Sequence, residues 1–361
     1  MSRVNIYSRL IQVIVTVSLG LIVLPSHAKP QVNSEHIGAW LNQYVMPSYS
    51  ALHEANLSLQ KQVSSLCSEL SLEALDDIQP YLTQAMEAYA YSQAADGGPM
   101  HEQMTNFQLY FWPDRNNSVS KQLEKLLTKP DFSILEDNGL SNASVALTGY
   151  PVLERLIFQS NYRHQVVDNE KDFICSYIIA VSDHLVSLTG EINRAWQANW
   201  YAQLLKPGHN KFKTQADKVS FVFSNIDLLL TKIISKKLSK PLASSAQRAK
   251  SKRLESWRSG NSLTMLKANA LALSKSLNLV LKPALIEAGE DLEWQYISHN
   301  LRAIEQQLAQ LPRPLVSYLN QPPFWQATQK LNTQFIQLQN RLRKIHPRLK
   351  VRLGFNAYDG D

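Results

Sequence analysis

Apolar residues recur along most of this chain at intervals of three and four, the spacing that places them on one face of an α-helix. Between Ser48 and Leu70 they fall at Leu52, Ala55, Leu59, Val63 and Leu66, with polar residues between. Leu72–Ala94 continues the pattern, with a break expected near Pro80 because proline lacks an amide donor. Met100–Phe111 forms a short amphipathic piece that ends at Trp112-Pro113. Further helical runs are predicted over Ser118–Leu127, Pro151–Phe158, Phe173–Trp200, Gln215–Leu238, Ser262–Ala288, Leu292–Leu311 and Pro323–Ile345. In Phe173–Trp200 the stripe reads Ile174, Tyr177, Ile178, Val181, Leu185 and Leu188. No run alternates for long enough to predict a strand. The expected fold is all-α, with roughly eight to ten helices in two antiparallel bundle-like domains packed together. The boundary is placed at Lys206-Pro207-Gly208-His209-Asn210, which gives domains over 29–205 and 211–361.

The first 28 residues do not fit this pattern. Arg3 and Arg9 precede the mostly apolar stretch Leu10–Leu24, Pro25 follows, and Ser26-His27-Ala28 puts small residues at the third and first positions before a cut. This is the layout of a cleaved secretory signal. The apolar stretch is shorter than the ~20 residues a spanning helix needs, and no later stretch reads as apolar enough to span. The mature protein is therefore expected in a bacterial periplasm, with no transmembrane segment after cleavage. In that oxidising compartment Cys67 and Cys175 are free to pair, the alternative being two buried thiols.

Two cysteines in 361 residues exclude thiolate zinc clusters, iron–sulfur ferredoxins and disulfide-dense scaffolds. The 37 basic and 30 acidic residues give a formal charge of +7, and much of the excess is local. Lys206–Arg258 holds 13 basic residues against Asp217, Asp227 and Glu255, and Arg341–Arg352 adds six more. Such a surface suits an anionic partner, or it forms solvated helix faces. Nucleic acid is not expected as a partner, since no recognised binding motif is present.

Catalytic motifs are scarce. Neither His53-Glu54 nor His101-Glu102 is followed one turn later by a second histidine. His164 and Asp168 have helical spacing, but Asn161, Asp168 and Asn169 favour a loop there. Three stretches stand out. In Gly149-Tyr150-Pro151-Val152-Leu153-Glu154, Gly149 permits a tight helix entry, Pro151 suits the first helical position, and Glu154 is expected within the first turn or so, where the helix dipole favours a carboxylate. In Tyr110-Phe111-Trp112-Pro113-Asp114-Arg115-Asn116, Asp114 or Asn116/Asn117 is placed to start a helix, and Arg115 to clamp a carboxylate or form an ion pair. In Glu255–Leu263, Ser259 or Asn261 is placed to cap the helix that carries Asn269.

Taken together these stretches resemble the imelysin-like family of bacterial envelope proteins. The matching features are Phe-Trp-Pro-Asp-Arg, Gly149…Glu154 followed by Leu156-Ile157-Phe158, Trp257…Ser259…Ser262-Leu263…Asn269, and the ending Leu353–Asp361. The cysteine pair also sits where a lipoprotein-like branch of the family carries one. The resemblance implies two helical bundles with a site between them, a link to iron uptake and regulation, and metallopeptidase activity in some members. It centres on a Gly-x-His-x-x-Glu motif, and here Pro151 stands in place of the histidine. Proline has no donor atom, so Glu154 alone remains as a metal candidate, with Asp114 and Tyr150 as further oxygen donors for iron.

The expected function is a non-enzymatic periplasmic binding or accessory protein associated with iron uptake. Its expected ligand is a small molecule, a metal or an anion, held at the interdomain cleft by Glu154, Trp112, Asp114, Arg115, Tyr150, Trp257, Ser259, Ser262 and Asn269. Other envelope iron-uptake proteins are the expected partners. The competing readings are a metal-dependent peptidase of the imelysin type and a binder of acidic polysaccharide.

Overall fold

The structure is a computed structural model, and it describes residues 29–353 apart from 69, 169–170 and 207–210. The leader-like first 28 residues, nearly all of the expected boundary (Pro207–Asn210) and nearly all of the Leu353–Asp361 ending lie outside the described residues.

Ten main helices carry the fold, and no strand occurs among the described residues. Helix α1 spans 34–63 and includes a π turn at Leu41–Val45. It starts well before the expected Ser48, at Asn33, whose side chain accepts from the His36 amide at 3.0 Å. Pro47 does not stop it. The π turn just before Pro47, where the Met46 amide donates to the Leu41 carbonyl, widens the backbone at the point where the proline ring would crowd the preceding turn. Helix α2, Leu72–Ser92, runs through Pro80 without the expected break. Pro80 is solvent-exposed, so the carbonyl it leaves unbonded is hydrated at little cost.

Helix α3 is Ser118–Thr128 and α4 is Tyr150–Phe158. Helix α5, Ser160–Asp168, occupies the segment expected as a loop around His164. Helix α6 spans 171–205, α7 spans 215–242, α8 is Ser262–Glu287, α9 is Asp291–Gln310 and α10 is Pro322–Ile345. Within α6, Phe173–Leu205 does reach the length and apolarity of a spanning segment, contrary to the sequence reading, and 67% of its apolar window is buried inside the protein. Its stripe serves as core.

Helices α1, α2, α4 and α6 form the first bundle, with α1 packed against α2 and α6 and with α4 on α2. In the second, α9 packs against both α8 and α10, and α10 closes on α7. The bundles are joined by α8, which lies along α2, and by the first turns of α1, which cross onto α8. At that crossing the Trp40 indole donates to Ser276 Oγ at 3.1 Å, and His36 Nε2 stands 3.0 Å from Glu287 Oε1. Cys67, just past α1, and Cys175, on α6, form a disulfide with Cα atoms 5.4 Å apart.

A polar hub is buried where the bundles meet. Lys237 Nζ, on α7, lies 2.6 Å from Glu255 Oε2 and donates to Asn269 Oδ1 at 2.6 Å and Gln93 Oε1 at 3.2 Å. Asn269 Nδ2 in turn donates to the Ala90 carbonyl at 2.6 Å. Burial pushes the lysine pKa down to about 8, against the opposing pull of Glu255. Between pH ~8 and ~10 the unfolded chain, with an ordinary lysine pKa, binds a proton that the folded one has released, so stability should rise with pH. Above pH ~10 the sign reverses. Tyr44, Tyr49 and Tyr110 are held well above their ordinary pKa, chiefly by burial, and unfolding then releases protons that the folded protein keeps. Urea midpoints at pH 7.5, 9 and 10.5 should therefore peak at the middle value. Lys237→Met should lose the rise and cost about 3 kcal/mol, because it leaves the Glu255 carboxylate buried without its cation.

Candidate functional site

Gly149 opens the site. Its backbone (φ 73°, ψ −169°) lies in a region reserved for glycine, and it packs against the carbonyls of Gln108 and Leu109. Thr148 fastens the same contact, with Oγ1 donating to the Gln108 carbonyl at 2.9 Å. The start of α4 is thereby set against the segment that leads into Tyr110–Asn117. Asp114 caps α3 from that segment, its two carboxylate oxygens accepting the amides of Ser118 at 2.8 Å and Val119 at 2.9 Å. The Trp112-Pro113 peptide bond between them is cis.

Glu154 falls in the second turn of α4 and is 4% exposed. It reaches the second half of the chain, where its Oε1 accepts from the Ser259 amide at 3.0 Å and the Ser259 hydroxyl at 2.8 Å. The loop bearing Ser259 is held from the other side too, since Ser256 shares a 2.7 Å hydrogen bond with the Tyr110 hydroxyl. Burial raises the Glu154 pKa, while the Ser259 donors, Arg258 and Arg155 pull it back.

Next to Glu154, Arg155 donates to Ser120 Oγ at 2.9 Å and to the Pro151 carbonyl at 2.7 Å, and stands 3.9 Å from Asp114. Burial, and then the nearby Arg258, push its pKa down to about 10. Arg258 donates to Gln159 Oε1 at 2.9 Å and lies over the Trp257 ring at 4.4 Å, and Lys252 sits 5.6 Å from that ring. Between these groups is a cleft of about 460 Å³. Its walls come from the Tyr110–Asn117 segment, the start of α4, the Lys252–Arg258 loop, and α7 at its π turn (Ile233–Ser239) with Lys240 just beyond.

The cleft is lined by Glu154, Trp112, Asp114, Arg115, Pro151 and Trp257 from the sequence expectation. Ser259 sits behind it, bonded to Glu154. Three expected residues lie elsewhere. Tyr150 points into the first bundle, between Tyr89 and Tyr110, and donates to Asn56 Oδ1 at 3.0 Å. Ser262 begins α8 as a buried side chain whose hydroxyl has no partner. Asn269, two turns on and fully buried, belongs to the Lys237 hub. The sequence reading did not name Tyr110, Phe111, Arg155, Lys236, Lys240, Lys252, Arg253 and Arg258 as site residues, and all of these also line the cleft. The signal for the last five was the basic run through Lys206–Arg258.

The imelysin family model matches residues 45–342. The chain belongs to the imelysin family. Two solved structures share its fold. An imelysin-like protein from Psychrobacter arcticum superposes with a TM-score of 0.75 at 20% identity, covering 90% of this chain and 99% of that one. A protein from Parabacteroides distasonis named iron-regulated protein A precursor superposes with a TM-score of 0.68 at 15% identity, covering 90% of this chain and 97% of that one. No curated protein sequence matches the chain.

In this member of the family the donor set around Glu154 does not fit a metal ion. Among the described residues no three His, Cys, Asp or Glu side chains are grouped closely enough to hold one. Pro151 offers no donor atom, Asp114 is committed to the amides of α3, and burial holds the Tyr150 hydroxyl in its protonated form. Glu154 is committed at one oxygen to Ser259 and is flanked by arginines that repel a cation.

Proposed function

We propose that this protein is an exported, non-enzymatic binding or accessory protein whose interdomain cleft holds an anionic ligand, in the service of iron acquisition. One observation carries the reading: seven cationic side chains line the cleft against two carboxylates, Asp114 and Glu154. Both carboxylates are already engaged, one on a helix start and one on Ser259. In a partly desolvated cavity such an excess attracts anions strongly, and the size is that of a small-molecule site. Trp112 and Trp257 add apolar walls. The iron association is drawn from the family resemblance and from the name of the Parabacteroides relative, and export from the leader-like first 28 residues.

Glu154→Gln separates this reading from a metal site or a metallopeptidase. The amide oxygen still accepts from Ser259, so the fold is kept, and one negative charge leaves the cleft. Calorimetry should show citrate binding about three- to tenfold tighter to the variant, with no stoichiometric zinc or iron(III) binding to either protein. Metal binding to the wild type that is lost in Glu154→Gln would replace this proposal with a metal site.

A further inference from the structure

Resting on the reading of the cleft as an anion site, we infer that its ligand is a small multivalent oxyanion with three or more negative charges. The charge balance is the first ground. Seven cations against two carboxylates leave an excess of five positive charges around a cavity of about 460 Å³. A monoanion would neutralise one of them. The second ground is crowding, since Arg155 and Arg258 each sit on the cleft and Arg258 holds the Arg155 pKa down. Like charges this close are relieved by an anion that bridges them, and guanidinium groups accept paired oxygens of carboxylate or phosphate in a fixed geometry. The third ground is size. Tyr110, Trp112 and Trp257 wall the cavity, and its volume is that of a compact ligand, not of a polymer groove.

Two sources share this chemistry. One is a polycarboxylate chelate of iron(III), in which the metal is cargo already surrounded by the chelator's own oxygens. This would reconcile an iron role with a cleft whose residues do not fit a bare ion. The other is a phosphate ester bearing several phosphates.

The test is calorimetry at fixed ionic strength on residues 29–361. The probes are acetate, citrate, iron(III) citrate, pyrophosphate, inositol hexakisphosphate and alginate, each titrated against wild type and Glu154→Gln. Affinity should climb with charge, with citrate or pyrophosphate at least about 30-fold tighter than acetate. A preference for iron(III) citrate over citrate would support the class and identify the chelate as its source, and a preference for the phosphates would support it and identify phosphate esters. Acetate binding as tightly as citrate, with Glu154→Gln tightening both, would overturn the inference and leave the anion site standing. Alginate binding while every small probe fails would overturn the inference in favour of a polymer. Failure of every anion, in both proteins, would overturn the anion site itself.

Discussion

Replacing Gly149 by alanine should cost about 4 to 6 kcal/mol, enough to leave a large fraction of the protein unfolded at moderate temperature. Two effects add. The backbone at φ 73° and ψ −169° is strained for any residue with a side chain. A Cβ built there would also stand 2.2 Å from the Leu109 carbonyl oxygen and 2.3 Å from that of Gln108. Neither neighbour is the end of a flexible side chain, so the backbone that leads to Tyr110 and Asp114 would have to move, taking one wall of the cleft with it. Urea unfolding compares this variant with Gly38→Ala, where the added carbon meets only Leu205 Cδ2 at 3.6 Å. That control lies inside α1 and should be stabilising by about 0.5 to 1 kcal/mol. A Gly149→Ala protein within about 1 kcal/mol of wild type would show that the close approach is not needed.

The second large effect concerns the disulfide. Cys67 and Cys175 are 108 residues apart in sequence. Closing a loop of that length removes enough freedom from the unfolded chain to contribute about 4 to 5 kcal/mol. Cys67→Ser together with Cys175→Ser should lower stability by that amount, and reduction of the wild type under mild denaturant should match it. The loss would show as a lower urea midpoint with a smaller change in slope. A double variant of unchanged midpoint would mean that α1 and α6 hold that end of the bundle by packing alone. Their packing is extensive, with Leu52, Leu59, Val181 and Leu185 all fully buried, so a folded double variant is still expected.

Much of this architecture was legible because burial imposes a period on the sequence. The stripe through Ile174, Val181 and Leu185 specifies both that α6 is helical and which face it buries. Local chemistry was the less certain guide. Pro80 looked like a helix break, and it lies inside α2 on a solvent-exposed face. The loop expected around His164 is helical, and α4, α6 and α2 all pack against the stretch that turn-prone residues had marked. Site residues divide in a similar way. Those on the Gly149–Glu154 and Trp112–Arg115 stretches were recognisable because glycine, proline and helix-capping residues cluster there. Tyr150, Ser262 and Asn269 belong to the same motifs and serve the core instead, a distinction that depends on which side of a helix faces the neighbouring bundle. Of the cleft's cations, Arg115 was named from its own motif, Arg155 was not, and the other five were visible only as a basic run. Charge shows that a surface exists, while the fold determines that Lys236, Lys240 and Arg258 meet around one cavity and that Lys237, between two of them in sequence, turns inward to Glu255.

The central claim is that this cleft, and not the basic surface as a whole, holds the anion. Calorimetric titration of citrate into wild type, Lys252→Gln/Arg258→Gln and Lys330→Gln/Lys344→Gln tests it directly. The first pair lines the cleft, and the second lies exposed on α10, so both variants lose the same net charge. The account predicts about a hundredfold weaker binding for the cleft pair, at roughly tenfold per cation, and a change within about twofold for the α10 pair. Equal losses in the two variants, or no loss in either, would contradict it.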